Sequence, residues 1–218
     1  MSSRGIIMQG ESVRAILAGR KTQTRRLVTP AVPDGRALRI IPWDDARSVL
    51  TSACFVPIRP GPEDADAGLG VRRFRSVPGS ILYVKEACKV YTGNGIRIVY
   101  AADETRVPGI DTRGLWGSPL FMPRARARLW LRVTRVRIER LQDLTEEDAR
   151  AEGIDASKPL PARINGKAGT VQFMGPDATR KAYAALWDGL HGKKSPWSTN
   201  PWIWAVTFER TERPALVA

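Results

Sequence analysis

Residues 17–26 read LAGRKTQTRR, four cations packed around two threonines directly after an apolar run and a glycine. The group in this stretch best suited to proton chemistry is Lys21. A free lysine titrates near about 10.4 and is charged at neutral pH. Arg20, Arg25 and Arg26 beside it disfavour that charge, and partial burial adds to the effect. An uncharged amine can act as a base toward a hydroxyl, and Thr24 is the nearest candidate nucleophile. Arg25 and Arg26 carry the planar fork that clamps phosphate or carboxylate. Geometry imposes a condition. In a regular strand Lys21 and Thr24 point to opposite faces, so they share a cleft only if residues 19–22 turn first, which Gly19 permits.

The elements around the stretch follow from periodicity. RGIIMQ (4–9) reads as a first strand and GESVRAILAG (10–19) as a short helix, with Val13, Ile16 and Leu17 at i, i+3 and i+4 and Gly19 at its C′ position. A Pro-Gly turn opens VPGSILYVKEACKVY (77–91), with a strand centred on residues 81–84; TGNG then signals a hairpin into GIRIVYAAD (95–103). In RARLWLRVTRVRIERL (126–141) the apolar residues fall on odd positions to Val133, then on even ones from Val136. That parity flip predicts a β-bulge or sharp bend near Thr134 and Arg135. The other face of this strand carries arginines, Arg135 among them, suited to a phosphate backbone or to solvent. LTEEDARAEG (144–153) predicts a helix with Thr145 as N-cap, Asp148 at N3 and Gly153 as terminator. GPDATRKAYAALWDGLHG (175–192) predicts another, capped by Asp177, with Tyr183, Leu186, Trp187 and Leu190 as its apolar stripe. PWIWAVTFERT (201–211) alternates as a closing strand, with Trp202 and Trp204 facing the core.

This order predicts a single α+β domain over residues 1–218, a mixed, mainly antiparallel barrel with peripheral helices. Two polar stretches, about 29–77 and 154–176, read as loop-rich insertions. A chain of 218 residues buries roughly 70% of its unfolded surface. It has no apolar run of about 18 residues for a membrane span and no secretory pattern at its start, so a soluble, cytoplasmic protein is expected. Cys54 and Cys88 lack metal-ligand spacing and His191 is the one histidine, so neither a zinc site nor another cofactor is expected. The net charge of +13 points to a polyanionic partner, RNA or a nucleotide, rather than a membrane. Trp197, in a loop beside Lys193 and Lys194, is a candidate for base stacking. Glu86, just after the strand at 81–85, is a candidate for the same cleft or a partner for an arginine.

Taken together, ILAGRKTQTRR, PGSILYVKEA, VTRVRIERLQDLTEEDARAEGI and NPWIWAVTFER resemble the ASCH-domain proteins, and in particular their longer phage and prophage members. The resemblance spans both ends and the middle of the chain and omits the two insertions. It implies a PUA-like β-barrel with a cleft beside the first helix and RNA or a nucleoside as ligand. It also implies, for some small members, hydrolysis of N4-acetylcytidine by a lysine, a threonine and a glutamate. Matched residue by residue, these are Lys21, Thr24 and Glu152. Three activities stay open: binding without chemistry, acyl hydrolysis on a nucleobase, and a metal-independent ribonuclease using Lys21 and Glu152.

Overall fold

A computed structural model describes residues 3–28, 36–40, 52–57, 71–73, 76–93, 95–103, 116–164 and 167–215. Its frame is a five-stranded sheet built from β1 (Ser3–Ile7), β6 (Ile81–Lys85), β9 (Trp130–Arg140), β12 (Trp202–Thr211) and β2 (Gln23–Leu27), in that spatial order. β1 and β6 run parallel, and the other pairs are antiparallel. The closing strand of the sequence therefore lies inside the sheet, between β9 and β2. No ladder closes the sheet into a barrel among the described residues. Its two edges are instead linked by a side chain: Arg26 Nη2, from β2, donates to the Ile7 carbonyl at the end of β1 (2.6 Å).

The parity flip in β9 is a bulge. The β12 partners jump from Arg135, opposite Thr207, to Val133, opposite Phe208, leaving Thr134 unpaired. Both Thr134 and Arg135 are exposed. The extra residue lets Leu131, Val133 and Val136 all reach one core despite their mixed parity.

Each face of the sheet buries its own apolar cluster. On one face Trp204, Val206 and Phe208 pack with Val13 and Ile16 of α1 (Gly10–Leu17). On the other, Ile203 and Ala205 pack with Ala149 of α2 (Glu146–Ala151) and with Tyr183 and Trp187 of α3 (Ala178–His191). This alternation along β12 follows from the two-residue period of a strand. No helix of the described residues is long and apolar enough to cross a membrane.

Several expectations need correction. The helix stripes are narrower than their periodicity suggested: Leu17 is 38% exposed, Leu186 38% and Leu190 50%. Asp177 does not cap α3; it sits in the left-handed region (φ 62°) and makes no cap bond. The cap comes from α2, where the Glu146 carboxylate accepts from the backbone N–H groups of Thr179 (3.1 Å) and Arg180 (2.9 Å). The first insertion contains a three-stranded antiparallel sheet of β3 (Arg36–Ile40), β4 (Ser52–Pro57) and β5 (Val71–Arg73). The second contains a hairpin of β10 (Leu160–Ile164) and β11 (Lys167–Val171). The expected hairpin around TGNG is present as β7 (Cys88–Gly93) and β8 (Gly95–Tyr100), in a separate ladder from β6.

Candidate functional site

The site begins where α1 stops. Gly19 takes φ 72°, and the backbone N–H groups of Arg20 and Lys21 both donate to the Ala15 carbonyl (2.9 and 3.1 Å). The turn expected at residues 19–22 is present, but it brings Lys21 to Glu152 and not to Thr24. It delivers Lys21 to an isolated antiparallel bridge with Glu152, the residue that ends α2. The bridge is fastened on both sides: Thr22 N–H donates to the Ala151 carbonyl and Phe208 N–H to the Thr22 carbonyl, each at 2.8 Å. Gly153 (φ 86°) makes the approach possible, because a Cβ there would lie 2.8 Å from Ala15 Cβ and 2.9 Å from Lys21 Cβ.

Across this bridge Lys21 Nζ donates to Glu152 Oε2 at 2.5 Å and to the Glu152 carbonyl at 2.8 Å. Both residues are buried, at 5% and 7% exposure. Burial pulls the Lys21 ammonium below its ordinary value of 10.5; Glu152 opposes this, and Arg26 and Arg25 reinforce it. Desolvation, more than the crowd of arginines, is thus what tunes the lysine. Arg20 plays a different part: exposed, it ties the loop by donating to the Gly153 carbonyl (3.2 Å).

Arg25 does not stand ready for a phosphate. Its buried guanidinium donates to Glu152 Oε1 (3.2 Å) and Glu139 Oε1 (2.9 Å) and lies 3.1 Å from Asp148 Oδ2. Arg137 backs the same acids, reaching Glu139 Oε2 (3.0 Å) and Asp148 Oδ1 (3.1 Å). Lys21, Arg25 and Arg137 against Glu139, Asp148 and Glu152 form a network without net formal charge. Burial works against the Asp148 carboxylate, but Arg25 and Arg137 hold it below 3.8. Of the arginines expected on this strand to meet solvent or phosphate, Arg137 meets carboxylates instead, while Arg132 and Arg135 are exposed.

The other candidates separate. Thr24 is buried and sits opposite Val206, whereas its neighbour Arg25 sits opposite Ala205, so the two project to opposite faces of β2. The Thr24 hydroxyl makes no hydrogen bond to Lys21 or Glu152 among the described residues. Arg26 lies within electrostatic reach of Glu152 while its fork is engaged at Ile7. Glu86, 1% exposed, is held bidentately by Arg128 (2.8 and 2.9 Å), and no contact joins it to Lys21. Trp197 packs edge-on against Tyr183 (ring centroids 6.4 Å apart) with the Arg180 guanidinium over its ring at 5.5 Å, and is partly buried. Arg135 sits exposed on the bulge.

Sequence reasoning missed Glu139, Asp148, Arg137 and Tyr183. Asp148 read as a helix-start residue and Tyr183 as core. The available signal was Glu139, an acid set among the arginines of VRIER. Tyr183, buried at 5% exposure, is pushed well above its usual value by burial and then by Glu152, with Arg25 and Arg26 opposing. It thus brings a phenol from α3 into the electrostatic field of the pair. His191, tilted against Trp187 (ring centroids 4.4 Å apart), is held below 6.5 by burial and by Arg26. Among the described residues no three His, Cys, Asp or Glu side chains group as a metal site; the site's carboxylates converge on Arg25 instead. The arrangement can hold and transfer a proton between an amine and a carboxylate, shielded from water.

Compared with protein-family models, curated proteins and solved structures, the chain matches none of them.

Proposed function

We propose that the chain is a nucleoside-recognising protein of the ASCH kind, with a sheet that curls into a PUA-like barrel, and that its reaction is hydrolysis of an acylamide on a nucleobase such as N4-acetylcytidine. The observation that carries this reading is the buried 2.5 Å contact of Lys21 with Glu152, joined to a lysine whose charged form burial disfavours. A proton on so short a path can pass to Glu152, freeing the amine as a base. Lys21 then takes a proton from a water whose oxygen attacks the acyl carbon. The C–N bond breaks, the proton held by the pair passes to the leaving exocyclic nitrogen, and acetate and cytidine depart. Water is the better nucleophile here than Thr24, whose hydroxyl is not bonded to Lys21 and whose side chain projects from the face of β2 opposite to that of Arg25. The neutral network behind Glu152 fixes one carboxylate oxygen with Arg25 and leaves the other to Lys21.

The test incubates the purified chain with N4-acetylcytidine and follows free cytidine by chromatography. Cytidine release that falls by about 10²-fold or more in Lys21→Ala and in Glu152→Gln is the expected result, since each substitution removes a general acid–base partner. Undiminished turnover in Lys21→Ala contradicts the assignment. The net charge of +13 favours a second reading, an RNA-binding module without chemistry. Salt-sensitive RNA binding with no cytidine release is its signature.

A further inference from the structure

The charge network at Lys21 is neutral, so the excess positive charge lies elsewhere, and part of it, Lys85, Arg124 and Arg126, stands on one face beside exposed aromatic surface. The face surrounds Trp130, the buried end of β9, whose ring has the Arg124 guanidinium 5.2 Å above it and Tyr83 at 5.9 Å. The acids tied to this face, Glu86 and Asp103, both pair with Arg128, which also lies over Tyr100 at 4.0 Å. Lys85, Arg124 and Arg126 form no ion pair among the described residues, and Arg124 Nε is shielded from solvent with no hydrogen-bond partner.

A short 3₁₀ turn, Pro119–Phe121, stands at the middle of this face. Lys85 Nζ donates to the Leu120 carbonyl there. The turn is rigidly mounted. Ser118 caps it, its own i→i+3 bonds close it at 3.1 Å, and the next residue, Met122, is buried beside Cys88 and Trp130. Yet Leu120 is 57% exposed and Phe121 81%. Scattered single apolar residues on a surface mean nothing, but an adjacent pair held out on a fixed turn, with cations on either side, is a stacking platform next to phosphate ligands.

We propose that this face binds single-stranded nucleic acid, with a base stacked on Phe121 and the backbone phosphates on Lys85, Arg124 and Arg126. Single strands fit because only unstacked bases offer their faces to an aromatic ring. The face shares no residue with the hydrolytic site, so the two readings stand or fall separately.

Fluorescence anisotropy of a labelled oligouridylate of about 20 nucleotides tests it, titrated between about 50 and 200 mM salt. Phe121→Ala is expected to weaken binding about tenfold, the loss of one stacked base. The double variant Lys85→Glu/Arg126→Glu is expected to lower the salt slope by about two, one for each phosphate ligand removed. Lys158→Glu/Lys181→Glu, an equal charge change at two exposed positions away from this face, is the control, with affinity kept within about twofold of the parent beyond its effect on net charge. A loss in Lys158→Glu/Lys181→Glu equal to that in the double variant of this face overturns the inference, because binding then follows total charge. Unchanged affinity in both Phe121→Ala and the double variant also overturns it and leaves the apolar turn to a protein partner. Cytidine release is followed in parallel on the unsubstituted chain. Hydrolysis without oligonucleotide binding sinks this inference alone, and binding without hydrolysis sinks the reaction alone.

Discussion

Lys21 and Glu152 are separated by most of the chain and meet because Gly153 lets two backbones touch. That closeness makes Gly153→Ala a sharp probe. The new methyl would sit 2.8 Å from Ala15 Cβ and 2.9 Å from Lys21 Cβ, on a backbone at φ 86°. A cost of about 1–3 kcal/mol is expected from the left-handed backbone alone, seen as a lower denaturation midpoint, together with a loss of cytidine release as Lys21 is displaced. Stability like that of the parent would mean that the loop relaxes freely and that the approach of the two backbones is not demanding. Arg25 teaches a complementary lesson about composition. A cluster of arginines reads as a phosphate clamp, yet Arg25 is consumed by Glu139, Asp148 and Glu152, acids that lie far from it along the chain.

Between elements, the junction of α2 and α3 does what local signals could not reveal. Asp177 carries the right residue type for a cap, but its left-handed backbone takes the side chain away from the role, and Glu146 of the preceding helix replaces it. Glu146→Gln is expected to cost about 1 kcal/mol, at the scale of a lost cap, read by urea denaturation. The carboxylate is held below 4.5: burial acts against it, but the bonds from Thr179 and Arg180 win. The stabilisation it gives is therefore present above about 4.5 and fades as the pH falls through its lower folded value, and the Gln variant loses that part of the pH dependence. Short-range features were legible: the turn at Gly19, the bulge at Thr134, the Thr145 cap and the hairpin at TGNG each rest on neighbours in the chain. The small sheet in 29–77 was hidden by Pro- and Gly-rich connections, and the exposure of Leu186 and Leu190 is decided by what packs against α3, which no local pattern records.

Across the whole molecule, the architecture separates two jobs that the sequence seemed to combine in LAGRKTQTRR. The buried site is electrically balanced, while the excess charge lies outside it. The balance carries a pH signature for stability. Asp148 is depressed in the folded state, so its contribution is full above about 3.8 and lost as the pH falls through its folded value. Lys21 is lowered, so the folded state binds fewer protons than the unfolded chain between that lowered value and 10.5, and stability rises with pH across the window. The denaturation midpoint is thus expected to drop in acid and, through Lys21, to gain a rise toward pH 10.5 in the parent, with that rise lost in Lys21→Met. The measurement that bears most directly on the site is the titration of Lys21 itself, by NMR of the folded chain with labelled lysines and with Lys21→Arg to assign the signal. The expected result is one lysine titrating below the rest and moving lower still in Glu152→Gln, where the opposing carboxylate charge is gone. A Lys21 signal that titrates with the surface lysines near about 10.4, unmoved by Glu152→Gln, would contradict it.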